Sequence, residues 1–370
     1  MTFEEPSDCY LLSTIQAGIH SGSLRIIERK SAMRVGKILA FSVLGLASLI
    51  VIVMAATAVA FFASSRSRSA QNFIPPEGQQ AVSPVGNMAL LSQASGASSF
   101  LYRKNMSTGT SVRLTAAVSG IESEANFSHD GKLVVYTFAS SPDSKASVWV
   151  VGADGRNPHP LTGQDQDALH PAFSPDDSKV FYAASNFTGN HSPIARPARH
   201  DWDVFSIPIQ SGAAPVGIAP TQITYSSFYD LASLDVASDG VNPGEIKILI
   251  STSAYPVGAL LEEFPLGDPG RNKIFQPHVQ GESKIGPSFG EARFIHDGMD
   301  ILFLAATDTT GVYDYNLYSM SDVTGSEIKQ LTHLKGMTTG LKILPNGEAA
   351  FMNNGAIQAL NVSAQTVKPL

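Results

Sequence analysis

The sequence is nearly without cysteine: Cys9 is the only one in 370 residues, so whatever folds beyond it is held without a disulfide. Charge is also sparse, at 15%, and the positive sign is the scarcer, with 25 Lys and Arg against 32 Asp and Glu. Residues 1–69 hold seven basic side chains against Glu4, Glu5, Asp8 and Glu28, so the acidic excess lies beyond them. A chain so short of basic residues cannot displace counterions along a phosphate backbone, which excludes nucleic acid as a partner class. What is present is a 43% hydrophobic fraction, ample for a large core, and 31 Gly and 22 Pro spread along the chain. That spread suits many tight turns and an all-β fold rather than a helical one.

Residues 38–63 form an uncharged run of 26 that includes Leu44, Leu46, Ile50, Val51, Ile52 and Phe61. As a helix it reaches roughly 39 Å, enough to cross a hydrocarbon layer of about 30 Å with some tilt. Arg25, Arg29, Lys30, Arg34 and Lys37 precede it, and only Arg66 and Arg68 follow closely, so the positive-inside rule places the N-terminus in the cytoplasm. The alternative is a secretory signal peptide starting at Met33, with Ala58-Val59-Ala60 as its cleavage site. Signal h-regions run about 7–15 residues, and the greater length here favours an uncleaved anchor. The expected organisation is a cytoplasmic segment (1–37), a transmembrane helix (38–63), a polar linker (64–78) and a folded domain (79–370) outside the cytoplasmic membrane.

Within the last region one pattern, apolar-Ser-x-Asp-Gly, returns. Its clearest copies are Phe127-Ser128-His129-Asp130-Gly131, Phe173-Ser174-Pro175-Asp176-Asp177 and Phe294-Ile295-His296-Asp297-Gly298. Weaker ones begin at Val82, Val236 and Ile343. Six copies at intervals of 45 to 63 residues fit the ~40–50 residues of a four-stranded propeller blade, two of them enlarged. Ser and Asp side chains accept bonds from backbone N–H groups and Gly adopts the left-handed conformation, so each copy joins two antiparallel strands. The runs that follow, such as Leu133-Val134-Val135-Tyr136 and Ile301-Leu302-Phe303-Leu304, do not alternate in polarity. Strands of that kind are covered on both faces, as in a blade between two blades. A third strand carries an aromatic at Phe100, Trp149, Phe205 and Tyr318, and a short fourth closes on Arg113-Leu114-Thr115, Pro160-Leu161-Thr162, Gln222-Ile223-Thr224 or Gln330-Leu331-Thr332.

Those turns, aromatic third strands and closing Leu-Thr segments resemble the repeats of TolB-like, WD-repeat-like propellers, which also stand beside the catalytic domain of prolyl oligopeptidases. The resemblance covers residues 79–370 and implies a six-bladed β-propeller of four-stranded antiparallel blades, preceded here by one transmembrane helix. The N-terminal α/β domain of TolB has no counterpart in this sequence.

Candidate sites are few. Gly286-Pro287-Ser288-Phe289-Gly290 matches the serine-hydrolase elbow pattern, but an elbow needs a strand before it and a helix after it, so the expectation is a loop between blades. Asp165, Asp167, His170, His191, His200, Asp201 and Asp203 are metal-ligand types without a metal motif's spacing, and no metal or other cofactor is expected. Asn-x-Ser/Thr sequons at Asn105, Asn186, Asn190 and Asn361 matter only in a eukaryotic secretory pathway. Three residues before each repeat's apolar marker stand Gln79, Glu124, His170, Ser233, Glu291 and Gly340. These surround the channel in a propeller, and Glu124, His170 and Glu291 are the candidate ligand contacts. An insertion at about 186–201 brings Arg196, Arg199 and His200 into an acidic domain and is the candidate edge of a partner surface. With no complete catalytic constellation, the expected function is a non-catalytic, membrane-anchored scaffold that binds a protein or peptide. Two alternatives remain open: a hydrolase or lyase using channel residues, with or without a divalent cation, and a small-ligand sensor.

Overall fold

The computed structural model describes residues 78–82, 87–185, 187–189, 198–209, 219–242, 244–254, 258–275, 285–309, 312–322, 328–344 and 346–370. The anchor expected at 38–63 and nearly all of the linker lie outside the described residues. Among the described residues no helix is long and apolar enough to cross a membrane. The one helical element described there is a single 3-10 turn at Pro269–Arg271.

The rest is strand. The first sheet runs β1 (Gly78–Val82), β2 (Met88–Ser95), β3 (Ser98–Asn105) and β4 (Ser111–Arg113). The second runs β5 (Ile121–Phe127), β6 (Leu133–Ala139), β7 (Ser147–Gly152) and β8 (His159–Pro160), tied to the first by one parallel bridge, Ser99 to Ile121. In the third, β9 (Asp167–Phe173) and β10 (Lys179–Ser185) pair with each other. A separate hairpin, β11 (Phe187–Gly189) and β12 (Ala198–His200), then intervenes before β13 (Asp203–Pro208) and β14 (Thr221–Gln222) complete the sheet. The fourth is β15 (Ser233–Ser238), β16 (Ile246–Ala254), β17 (Gly258–Pro265) and β18 (Lys273–Phe275). The fifth is β19 (Ile285–Ile295), β20 (Asp300–Thr309), β21 (Val312–Ser321) and β22 (Lys329–Gln330). The sixth is β23 (Thr338–Ile343), β24 (Ala349–Asn353), β25 (Ala356–Asn361) and β26 (Thr366–Pro369).

The opening strands of the sheets touch in the cycle β1, β5, β9, β15, β19, β23 and back to β1, which makes each sheet a blade around a common axis. The second strand of each blade explains the unbroken apolar runs. Val134 and Tyr136 pack toward blade 1 while Val135 packs toward blade 3. Val180 and Tyr182 face blade 2, Phe181 and Ala183 face blade 4, and Ile301 and Phe303 face blade 4 while Leu302 and Leu304 face blade 6. Period-two side chains thus serve a different neighbour on each face, and both faces must be apolar. Each large side chain so buried contributes about 1.5–3 kcal/mol.

The repeated turn works as its residues suggest. Ser128 Oγ donates to Asp130 Oδ1 at 2.8 Å and accepts from Leu133 N at 2.9 Å. Ser174 does the same with Asp176 and Lys179 at 2.6 and 3.0 Å. The closing threonines accept from the third strand: Val148 N to Thr162 Oγ1 at 2.9 Å, Val204 N to Thr224 Oγ1 at 2.8 Å and Leu317 N to Thr332 Oγ1 at 3.0 Å. One expectation is corrected. Ser288 does not sit in a loop between blades but inside β19, where an irregular register between Ile285 and Ala292 lets the Gly-Pro-Ser-Phe-Gly segment continue the strand.

A candidate binding site in the axial channel

Four of the innermost strands are interrupted at the same depth, whereas β15 pairs with β16 without a break. In β5, Glu124 and Ala125 lie together opposite Tyr136; in β9, His170 and Pro171 lie opposite Tyr182; in β23, Gly340 and Leu341 lie opposite Phe351. Each is a β-bulge, and its first residue takes a left-handed φ of 52°, 55° and 70° respectively. In β19, Gly290 and Glu291 lie in the same way opposite Leu304. A bulge detaches backbone N–H groups from the ladder, and in a closed interior they need another acceptor.

The preceding blade supplies it. Glu124 Oε2 accepts from His170 N at 2.6 Å, and the two oxygens of Glu291 accept from Gly340 N and Leu341 N at 2.7 and 2.8 Å. Ser233 Oγ and Asp235 Oδ2 receive Ala292 N and Phe294 N at 3.1 and 2.7 Å. Asn126 Nδ2 donates to Pro171 O at 2.8 Å, and His170 Nε2 lies 2.9 Å from Leu231 O. Of the six expected channel residues, Glu124, His170, Ser233 and Glu291 therefore use their side-chain polar atoms to fasten one blade to the next.

The charges compensate one another. His170 Nδ1 is 3.2 Å from Glu124 Oε1. Burial disfavours the Glu124 carboxylate, but the charge and hydrogen bonds of His170, with Lys342 behind them, outweigh it and bring its pKa to about 2. Burial likewise opposes the His170 cation, yet Glu124 and the Leu231 carbonyl raise its pKa on balance. Arg293 stands 3.7 Å from Glu291 Oε2, and Lys342 Nζ donates to Asn126 Oδ1 at 2.9 Å, reaching from blade 6 to blade 2. Burial, then the Arg293 charge, pull the Lys342 pKa down to about 8. Asp235 is raised by burial in spite of Arg293 and Lys342.

Asn126, Asp235, Arg293 and Lys342 escaped the sequence reading, although the signal was there. Each immediately precedes an apolar marker, two residues beyond the positions singled out, and a period of two turns both sets toward the axis. They line a cavity of about 620 Å3 at the end of the channel where the repeated turns lie, with His129, His296 and Asp297 at its edge. Among the described residues no group of three or more His, Cys, Asp and Glu is placed to hold a metal.

The other candidates lie apart. Arg199 Nη1 is 2.6 Å from Asp167 Oδ2, whose Oδ1 accepts from Ala146 N at 2.6 Å, and Arg199 Nη2 donates to Ser144 O at 3.0 Å. His200 is buried between the rings of Phe187 and Tyr229, at 4.4 and 6.4 Å. Both hold the β11–β12 hairpin against blades 2 to 4, at the opposite end of the innermost strands from the cavity. Arg196 lies outside the described residues.

No protein-family model matches the sequence, and no curated protein matches it. Solved structures do. A protein described as TolB from Agrobacterium tumefaciens aligns with a TM-score of 0.52 and 17% identity, over 77% of this chain and 90% of its own. Oligogalacturonate lyase from Vibrio parahaemolyticus aligns at 0.51 and 12% identity, over 79% and 76%. A puromycin hydrolase aligns at 0.51 and 17% identity, over 80% of this chain but 47% of its own. The shared feature is the fold, and these neighbours include enzymes as well as a TolB protein.

Proposed function

We propose that this TolB-like β-propeller is a binding module, not a catalyst, anchored by residues 38–63 at the outer side of a cytoplasmic membrane. A protein or peptide partner lies across the end of the ring where the channel opens. The observation that carries this reading is the use made of the axial carboxylates. Glu124, Asp235 and Glu291 accept backbone N–H groups of the following blade, so they hold the ring together rather than face a reacting group. A general base needs a lone pair directed at substrate, and a nucleophile needs such a base beside it. A rim set around a polar cavity suits recognition of a partner's protruding segment.

Site-specific photocrosslinking of the full-length protein in its native membrane tests this. A probe replacing His296 at the cavity edge is expected to give a discrete protein adduct, and a probe replacing Val367 on the outermost strand of blade 6 is expected to give none. Equal labelling from both positions overturns the placement of the partner. Turnover of a uronate oligomer or a peptide amide by the purified protein moves the assignment to the lyase or hydrolase reading. Alkaline carbonate extraction checks the anchor: the full chain stays with the membrane and a chain lacking residues 38–63 is released.

A further inference from the structure

The junction between blades 4 and 5 holds a group of charged side chains in its apolar interior. The alternation of β16 puts Lys247 on the same face as Leu249, toward blade 5, and that of β17 puts Glu263 on the same face as Leu261. Asp322, the residue after β21, meets them from blade 5, and Lys273 of β18 reaches in from the outer edge. Lys247, Glu263 and Asp322 are 2%, 1% and 1% exposed, whereas Lys273 is 33% exposed. Lys247 Nζ lies 2.5 Å from Asp322 Oδ2, donates to Gly298 O at 2.6 Å and stands 5.1 Å from the centre of the Phe294 ring.

Glu263 is the unusual member. Its Oε2 is 3.9 Å from Lys247 Nζ and its Oε1 is 3.2 Å from Lys273 Nζ, yet among the described residues neither oxygen accepts a hydrogen bond. Glu263 is bonded to Asp322 instead, and two carboxyl groups bond only when one of them carries a proton. Burial, then Asp322, raise the Glu263 pKa. Burial opposes the Asp322 carboxylate too, but the bond from Glu263 and the two lysines outweigh it and lower its pKa, so the proton belongs to Glu263.

A buried ammonium and carboxylate lose hydration that their attraction only partly returns, whereas an amide in their place carries no charge and releases a water. We propose that Lys247 Nζ and Asp322 Cγ join in an amide bond that staples blade 4 to blade 5, a reaction of the chain on itself in which Glu263 moves the protons. Glu263 passes its proton to Asp322 and takes one from the Lys247 ammonium, which leaves a neutral amine beside a neutral carboxylic acid. The amine lone pair forms the N–C bond. The Cγ–OH bond then breaks, and the hydroxyl departs as water with an amine proton relayed through Glu263, which ends protonated as it began. The Lys273 ammonium, 3.3 Å from both Asp322 oxygens, stabilises the oxyanion between these steps. The remaining amide N–H keeps its acceptor in Gly298 O. No oxidant, cofactor or second molecule enters the balance. The bond spans 75 positions in a chain whose single cysteine, Cys9, leaves no disulfide to do the same.

Mass spectrometry of the unaltered full-length protein tests this. A tryptic digest is expected to give one branched peptide joining the segments that contain Lys247 and Asp322, lighter by one water than their sum, with no cleavage after Lys247. K247R and D322A give the two linear segments. E263Q keeps the size of the side chain but cannot relay a proton, and in a pulse-chase time course it is expected to form the bond at least about a hundredfold more slowly.

Linear peptides ending at Lys247 in the unaltered protein overturn the proposal, and that result requires no variant to fold. A branch from Lys273 in place of Lys247 overturns the choice of nucleophile. Equal rates in the parent and E263Q overturn the role of Glu263.

Discussion

Glu124 and His170 occupy a backbone conformation that costs a residue with a Cβ about 1–2 kcal/mol, and at the matching place in blade 6 the chain uses Gly340. The strain is offset because the bulge at His170 turns its N–H onto the Glu124 carboxylate and sets the imidazole beside the same group. This pair makes stability depend on pH in a definite sense. The Glu124 pKa is about 2 in the fold against 4.5 unfolded, so its contribution is present above 4.5 and lost as pH falls toward 2. His170 is raised above 6.5, so its contribution is complete below 6.5 and lost as pH rises through the folded value. The pair therefore stabilises most between about pH 4.5 and 6.5. Glu124→Gln is expected to destabilise by about 2–3 kcal/mol in that window, with the difference shrinking toward pH 2 and above neutrality. Thermal melts of both proteins from pH 2 to 9 check it, and a difference independent of pH rejects it.

The β11–β12 hairpin shows what one long-range ion pair does for an element. It belongs to no blade, and the Arg199 guanidinium spans Asp167 at the start of β9 and Ser144 on blade 2. Asp167 is 1% exposed, so Arg199→Ala leaves a buried carboxylate uncompensated and is expected to cost about 1–3 kcal/mol. Amide exchange in 187–189 and 198–200 should quicken at least tenfold while β10 keeps its protection. The sequence read well wherever function and local geometry coincide: Ser128 and Asp130, or Ser174 and Asp176, announce their turns because both partners lie within a few residues. The ion pair of Arg199 was not legible, because nothing local reveals that Asp167, 32 positions earlier, lies 2.6 Å away. The β19 strand hid behind a Gly-Pro-Ser-Phe-Gly segment for the converse reason, since its pairing with β20 overrides local turn propensity. Asp235, Arg293 and Lys342 were one alternation away from the positions chosen, and only the closing of the ring brings three different blades to one cavity.

Five of the six junctions between blades are built on apolar clusters shared by both neighbours, from Leu90 with Val134 in the first to Leu302 with Phe351 in the last. At the sixth, among the described residues, the cluster is Leu344, Ala350 and Ala359, all from blade 6, and the bond that reaches past blade 1 is Lys342 to Asn126. Among the described residues no strand is exchanged there, because the four strands of each blade follow one another along the sequence. Native-state hydrogen exchange is expected to show blades 1 and 6 opening with a free energy below that of blades 3 and 4, by roughly the burial of one or two large side chains, about 2–5 kcal/mol. Uniform protection around the circle rejects that ranking. Contiguous blades also impose an order on biogenesis. Blades 2 to 5 can each settle on the one just made as the chain emerges, but the outward flank of blade 1 stays bare until blade 6 arrives. A newly made molecule thus carries a sticky surface for nearly the whole time of its synthesis, and holdases have that interval in which to act.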